Sequence, residues 1–96
     1  MYLIKFSKQA EKDKPRLKAA GLEAKALLNL MQDTPFQNPP PYEKLVGNLS
    51  GNLSRRINIQ HRLVYAVLEN IEGYAAPTGE FYDGIILVKR MWTHYE

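Results

Sequence analysis

The chain has 96 residues, 45% of them apolar, which allows one domain with one small hydrophobic core. It has no cysteine, which excludes disulfides and thiolate chemistry, and its only two histidines, His61 and His94, are too far apart in sequence to favour a zinc site. The net charge of +3 suits an anionic partner such as RNA or an acidic protein segment, and the basic residues are concentrated at the start of the chain, where residues 1–30 hold seven Lys or Arg and three Asp or Glu.

The first third of the chain predicts one strand and two helices. Residues 2–6 are rich in strand formers, and Ser7 follows them as a candidate N-cap of the first helix. Pro15 predicts a break in this helix or a late start, and Gly21 is a natural stop. Leucines, alanines and a methionine at helical spacing then predict a second helix, over residues 22–33.

The rest of the chain predicts an antiparallel sheet. A proline-rich stretch, residues 36–42, reads as an extended connector, and residues 73–84 read as a long loop. Alternating patterns predict four strands, with a hairpin turn at residues 50–52 between the first two: 43–49, 53–60, 62–70 and 85–92. The fold class is therefore α+β: an N-terminal strand and a helix pair packed on one face of a mainly antiparallel sheet, in one domain over residues 1–96.

One constellation of residues carries chemistry. It consists of a carboxylate, a run rich in arginine, and the His-Tyr pair near the end of the chain: Glu43; Ser54, Arg55, Arg56 and Ile57; His61, Arg62, Leu63, Val64 and Tyr65; His94 and Tyr95. Metal-free RNA cleavage needs a base for the ribose 2′-OH, cationic donors for the phosphate and an acid for the departing 5′-oxygen. These residue types supply all three, without a metal or another cofactor.

The wording of this run resembles the YoeB/Txe branch of the RelE superfamily of bacterial toxins. The resemblance implies a RelE-like fold and a ribosome-dependent endoribonuclease, the toxin of a type II toxin–antitoxin pair, that cleaves mRNA and so inhibits translation. It also implies three partners: a YefM/Axe-like antitoxin protein, the ribosome and mRNA. The chain would then assemble as a homodimer or as a toxin–antitoxin hetero-oligomer.

Glu43 and Arg62 are the first two candidate catalytic residues. The resemblance places Glu43 on the catalytic glutamate of the family, whereas Glu43 taken alone reads as a solvated carboxylate at the start of a strand. Arg62 suits a phosphate clamp because its planar fork contacts two phosphate oxygens and stays charged. The plain alternative is an ion pair at the rim of the sheet, with Glu43 as one candidate partner.

Three further cations are candidate RNA or phosphate contacts. Arg55 and Arg56 are adjacent, so on a strand they face opposite ways and only one can point into a cleft. The resemblance favours Arg56 as the second phosphate contact, and Arg55 is expected to meet ribosomal RNA or solvent. Lys44, beside Glu43, is the third candidate. Any of these may be matched by a simpler description, a solvated surface cation.

The closing pair supplies the remaining roles. His94 suits the general acid because the ordinary pKa of histidine lies near working pH, and Tyr95 can stack on a base or orient the phosphate. Outside the resemblance, such a terminal pair reads as a frayed tail. His61 is a second candidate acid, but strand parity turns it away from Arg62, so it reads as structural.

Two other function classes share the fold or the charge. One is an inhibitor without nuclease chemistry, like the ParE relatives, which lack the combined Glu, Arg and His-Tyr set. The other is a small basic module that binds RNA without cleaving it. No stretch approaches the ~20 apolar residues of a membrane span and no signal peptide is evident, so the expected location is the cytoplasm, with no membrane partner.

Overall fold

The computed structural model describes residues 1–58, 61–69 and 82–92. These residues form five strands, two α-helices and one short 3-10 helix, in this chain order: β1 (Tyr2–Phe6), α1 (Lys8–Ala19), α2 (Lys25–Asp33), β2 (Tyr42–Lys44), the 3-10 helix (Gly47–Leu49), β3 (Leu53–Arg56), β4 (Arg62–Glu69) and β5 (Gly84–Arg90).

The five strands form one sheet in the order β1-β5-β4-β3-β2. The pair β1 and β5 is parallel, and the other three pairs are antiparallel. β2 is an edge strand of three residues, bonded to β3 on one side. Both helices pack against β1, and α1 also packs against β5. This arrangement confirms the predicted α+β class, with the helix pair on one face of a mainly antiparallel sheet.

The hydrophobic core lies between the helices and the inner face of the sheet. Both layers contribute fully or nearly fully buried side chains to it: Ala10, Leu17, Ala24 and Met31 from the helical part, and Leu53, Leu63, Tyr65, Ile86 and Val88 from the strands. Because side chains alternate along a strand, the residues between these strand positions face the opposite, outer face of the sheet.

Both predicted signals at the ends of α1 are confirmed. The Ser7 hydroxyl accepts the backbone N–H of Ala10 at 3.1 Å, as an N-cap does. Gly21 has a φ of +73°, and the backbone N–H of Leu22 donates to the Leu17 carbonyl at 3.0 Å. This left-handed glycine with its 6→1 hydrogen bond is a Schellman stop.

The expectation that Pro15 breaks or delays α1 is wrong, because the helix runs through it. Tertiary contacts on both sides of the proline hold the helix in place. Leu17 is buried in the core, and the fully buried carboxylate of Asp13 accepts the backbone N–H groups of Met91 at 2.9 Å and Trp92 at 3.2 Å. Such anchors offset the hydrogen bond that a helical proline removes.

Two other boundaries differ from the sequence prediction. The strand predicted over residues 43–49 ends at Lys44 and is followed by the 3-10 helix, since Gly47 adopts a left-handed φ of +69° that a strand cannot continue. The link from β2 to β3 is therefore residues 45–52 rather than a turn at 50–52. The connector predicted to be extended is rich in turns and bends between Pro35 and Pro40.

Within the described ranges, no helix combines the length and the apolar character needed to cross a bilayer.

Candidate active site

Four polar side chains lie together on the outer face of the sheet. The strand register pairs Glu43 of β2 with Ser54 of β3, and Arg56 of β3 with Arg62 of β4. Ser54 and Arg56 are two residues apart on one strand, so both face the same way. The fold thus brings a carboxylate, a hydroxyl and two guanidinium groups to the open face, away from the helices.

Arg62 is the centre of this group. Its Nη2 lies 3.3 Å from Glu43 Oε1, and its Nε donates a short hydrogen bond to the hydroxyl of Ser54. The Arg62 side chain is only 15% exposed, whereas that of Glu43 is 66% exposed. Arg62 is therefore held in place, and Glu43 is open to an incoming molecule. The ion pair between them confirms the rim pairing that the sequence suggested.

A cleft of about 260 Å³ opens at this point, lined by Pro41, Glu43, Arg56 and Arg62. Arg56 is exposed and stands directly opposite Arg62 in the strand register, where facing side chains are about 5 Å apart. Like charges in such a pair repel each other, and an anion bound between them relieves the repulsion. The cleft therefore combines one carboxylate with a binding place for a phosphate.

Arg55 does not belong to this cleft, and the expectation that it meets RNA or solvent is wrong. Its side chain faces the core and is fully buried. The guanidinium donates to the Tyr65 hydroxyl at 3.0 Å and to backbone carbonyls of the connector: Pro40 at 2.5 Å, Pro35 at 2.9 Å and Gln37 at 2.9 Å. A cation with its donors bound in this way is a structural group.

Lys44 also lies outside the cleft. It is paired with Leu53 in the register, so it faces the other side of the sheet from Glu43. Its side chain lines a separate groove together with Phe36, Val46 and Val67. The structure therefore does not bring Lys44 to the candidate phosphate site.

His61 is buried, as its structural interpretation requires. Its ring stacks on Trp92 with 3.9 Å between ring centroids and 23° between planes, and only 2% of its surface is exposed. The other two candidates, His94 and Tyr95, lie outside the described residues. Within residues 1–58, 61–69 and 82–92, no group of three or more His, Cys, Asp or Glu side chains could hold a metal ion.

Ser54 is a member of the site that the sequence analysis missed. It is fully buried and accepts the hydrogen bond that orients Arg62. Strand parity carried the signal: Ser54 precedes Arg56 by two residues and must share its face. Small hydroxyl side chains are so common on strands that this placement alone does not single one out.

Two buried groups near the site have shifted pKa values. Burial raises the pKa of Tyr65, and the charge and hydrogen bond of Arg55 act against this rise. Burial also acts to raise the pKa of Asp13, but hydrogen bonds from Met91, Gln9, Trp92 and Arg90 outweigh it and hold this pKa below its usual value. Asp13 is therefore ionised at neutral pH, and it fixes the chain just after β5.

The chain was compared with known proteins. Residues 7–73 match the family model described as the YoeB-like toxin of bacterial type II toxin-antitoxin systems. A relative from Synechocystis sp., Toxin YoeB, is 42% identical over 59 residues. This match covers 62% of the chain and 64% of the relative, which is less than two thirds of that protein's length.

Solved structures resemble the whole fold. A YoeB/ParE toxin from Agrobacterium tumefaciens has a TM-score of 0.70 at 23% identity, with 97% of this chain and 99% of that chain covered. The toxin fold also occurs in a heterotetrameric YoeB-YefM toxin-antitoxin complex from Staphylococcus aureus. There the TM-score is 0.63 at 27% identity, with 99% of each chain covered.

Proposed function

Because the chain belongs to the YoeB-like toxins of bacterial type II toxin–antitoxin systems, we propose that it is a ribosome-dependent endoribonuclease that cleaves mRNA. The proposed reaction is an attack of the ribose 2′-oxygen on the adjacent phosphorus. The bond from phosphorus to the 5′-oxygen breaks, which leaves a 2′,3′-cyclic phosphate and a 5′-hydroxyl. No metal ion takes part in this reaction.

Glu43 is the proposed general base. Its carboxylate lies at the mouth of the cleft, 66% exposed, so an RNA ribose can approach it. Arg62 and Arg56 are the proposed phosphate contacts, which stabilise the charge that develops on the phosphate oxygens. The ion pair at 3.3 Å between Arg62 and Glu43 supports this assignment, because it puts the base and a phosphate cation within one nucleotide's reach of each other.

The pairing of two arginines across β3 and β4 is the observation that carries the proposal. Arg56 and Arg62 face each other on an exposed part of the sheet, where a hydrophobic or oppositely charged pair would be more stable. Glu43 offsets the charge of one arginine, and its single carboxylate leaves a net positive cleft. A phosphodiester completes the charge balance of this cleft.

His94 is the proposed general acid, and Tyr95 is proposed to orient the phosphate or stack on a base. Trp92, the last of the described residues, stacks on His61, which directly precedes Arg62. Two further residues span up to about 7 Å. A role for His94 at the cleft is therefore compatible with where the chain runs at Trp92.

An antitoxin and the ribosome are the proposed partners. The complex from Staphylococcus aureus pairs a YoeB toxin with YefM, and we expect a YefM-like protein to bind this chain in the same sense. The net charge of +3 favours an acidic binding segment in that partner.

Primer extension on a translated message tests the proposal. With ribosomes programmed by a defined mRNA, the wild-type chain should produce cuts at fixed positions within codons, and these cuts should disappear without ribosomes. A ParE-like inhibitor or a basic RNA-binding module would stop growth or bind RNA without producing any cut. A folded chain that leaves the message intact on the ribosome would overturn the nuclease proposal.

A further inference from the structure

The buried guanidinium of Arg55 holds the connector that leads into the candidate base. Four of its five N–H donors are engaged, one by the Tyr65 hydroxyl and three by the carbonyls of Pro35, Gln37 and Pro40. These carbonyls come from one short segment, residues 35–40, which passes around the side chain. The segment has no strand or helix of its own to fix its path.

The connector leads directly to Glu43. Pro40, whose carbonyl is bound at 2.5 Å, is followed by Pro41, which lines the cleft, and then by Tyr42, which pairs with Arg55 in the strand register. The Arg55 guanidinium also lies 5.0 Å from the centre of the Tyr42 ring. Arg55 thus contacts the chain before Glu43 through its side chain and the residue next to Glu43 through both its backbone and its side chain.

The strand that carries Glu43 is weak on its own. β2 has three residues and lies at the edge of the sheet, with β3 as its one strand neighbour. A short edge strand has few ladder hydrogen bonds and opens at low cost in free energy. Its position therefore depends on what holds the connector in front of it.

We infer that Arg55 is a positioning residue, which holds residues 35–41 in one path and so fixes Glu43 opposite the phosphate contacts Arg56 and Arg62. This inference rests on the proposed nuclease function. It gives the adjacent arginines two different roles: Arg55 points inward and orders the wall of the cleft that carries the base, and Arg56 points outward and binds substrate. The alternation of side chains along β3 separates the two roles.

A lysine cannot replace Arg55 in this role. Lysine keeps the positive charge but has three N–H donors on one atom, whereas the arginine fork places donors on three nitrogen atoms that face different acceptors. Arg55→Lys should leave at least one carbonyl of the connector without a donor. A shift of Glu43 by about 1 Å would then slow the chemical step by about 10–100-fold, while Arg56 and Arg62 still bind the phosphate.

The test combines hydrogen exchange with single-turnover cleavage on programmed ribosomes. In Arg55→Lys, peptides over residues 36–45 should exchange faster than in wild type, and cleavage should slow by about 10–100-fold. Binding of an uncleavable message, with 2′-deoxyribose at the cut position, should stay within about threefold of wild type, because no substrate contact has changed. A merely structural residue would not separate cleavage from binding in this way.

Two control variants separate positioning from general destabilisation. Ile86→Val removes one buried methylene from β5, distant from the connector in the sheet, and costs about 0.5–1.5 kcal/mol of stability. It should leave both the exchange of residues 36–45 and the cleavage rate unchanged. Arg16→Lys makes the same chemical change on the exposed face of α1 and should also change neither measurement.

A gentler variant covers the case in which Arg55→Lys does not fold. Tyr65→Phe removes only the acceptor of the Arg55 Nε–H and keeps the packed ring, so it should show the same pattern with a smaller slowing of cleavage. Unchanged exchange over residues 36–45 in the folded variants would overturn the clamp. Faster exchange with full cleavage would overturn the positioning role. Absence of cleavage by the wild type would overturn the proposed function alone, because the exchange result does not depend on activity.

Discussion

Replacing Arg62 with alanine should abolish activity at a small cost in stability. Two contacts are lost with the guanidinium, the ion pair to Glu43 at 3.3 Å and the hydrogen bond to the Ser54 hydroxyl. Glu43 is 66% exposed, so the ion pair contributes less than about 1 kcal/mol. The buried Ser54 hydroxyl loses its donor, which costs about 1–2 kcal/mol.

The expected loss of stability is therefore about 1–3 kcal/mol, out of about 5–15 kcal/mol for a domain of this size. The variant should stay folded at 25 °C, with a Tm lowered by about 5–20 °C. The loss of activity should be much larger in effect. Removing one charge contact from the transition state slows such reactions by about 10²–10³-fold.

Urea denaturation and single-turnover cleavage, measured on the same preparation of Arg62→Ala, separate these two effects. The free energy of unfolding shows that more than 99% of the variant is folded if it exceeds about 3 kcal/mol. Arg62→Lys is the matched control: it keeps the charge without the fork and should recover part of the rate. A folded Arg62→Ala protein that cleaves at the wild-type rate would refute the role of Arg62 as a phosphate contact.

Four further predictions follow from the site and its surroundings. Glu43→Gln keeps the shape but cannot accept a proton, so it should slow cleavage steeply while ribosome binding, measured by co-sedimentation, stays intact. His94→Ala should remove the alkaline limb of the pH profile of cleavage, and a limb that persists would exclude His94 as the acid. Binding of the antitoxin should weaken as salt rises, since charge complementarity is screened, and calorimetry at two ionic strengths would check this. Asp13→Asn should cost about 2–4 kcal/mol at pH 7, because the backbone N–H groups of Met91 and Trp92 lose a charged acceptor; the lowered pKa of Asp13 makes its contribution complete above the unfolded value near 3.9 and lost as pH falls through the folded value, so urea titrations of the two proteins should converge in acid.

Local signals predicted the elements whose ends have strong local chemistry. Ser7 and Gly21 mark the ends of α1 because their side chain and backbone geometry act within four residues. Pro15 misled for the opposite reason. The contacts that hold α1 around it come from Met91 and Trp92, more than seventy residues away, and no local pattern contains them.

The candidate site was predicted in part. Strand parity correctly separated Arg55 from Arg56, and the pairing of Glu43 with Arg62 follows once the strands are in register. The burial of Arg55 could not be read from the sequence, because its acceptors are backbone carbonyls of Pro35, Gln37 and Pro40. Every residue has such a carbonyl, so only the path of the connector identifies these three.

Chemical analysis of the RNA ends made on the ribosome tests the central proposal most directly. The cut message should be isolated after a single turnover, and its new termini identified by mass spectrometry. Attack by the 2′-oxygen predicts a 2′,3′-cyclic phosphate, or the 3′-phosphate formed from it by hydrolysis, together with a 5′-hydroxyl. A 3′-hydroxyl with a 5′-phosphate would show that water, and not the ribose, attacks the phosphate, and would contradict the mechanism built on Glu43, Arg56 and Arg62.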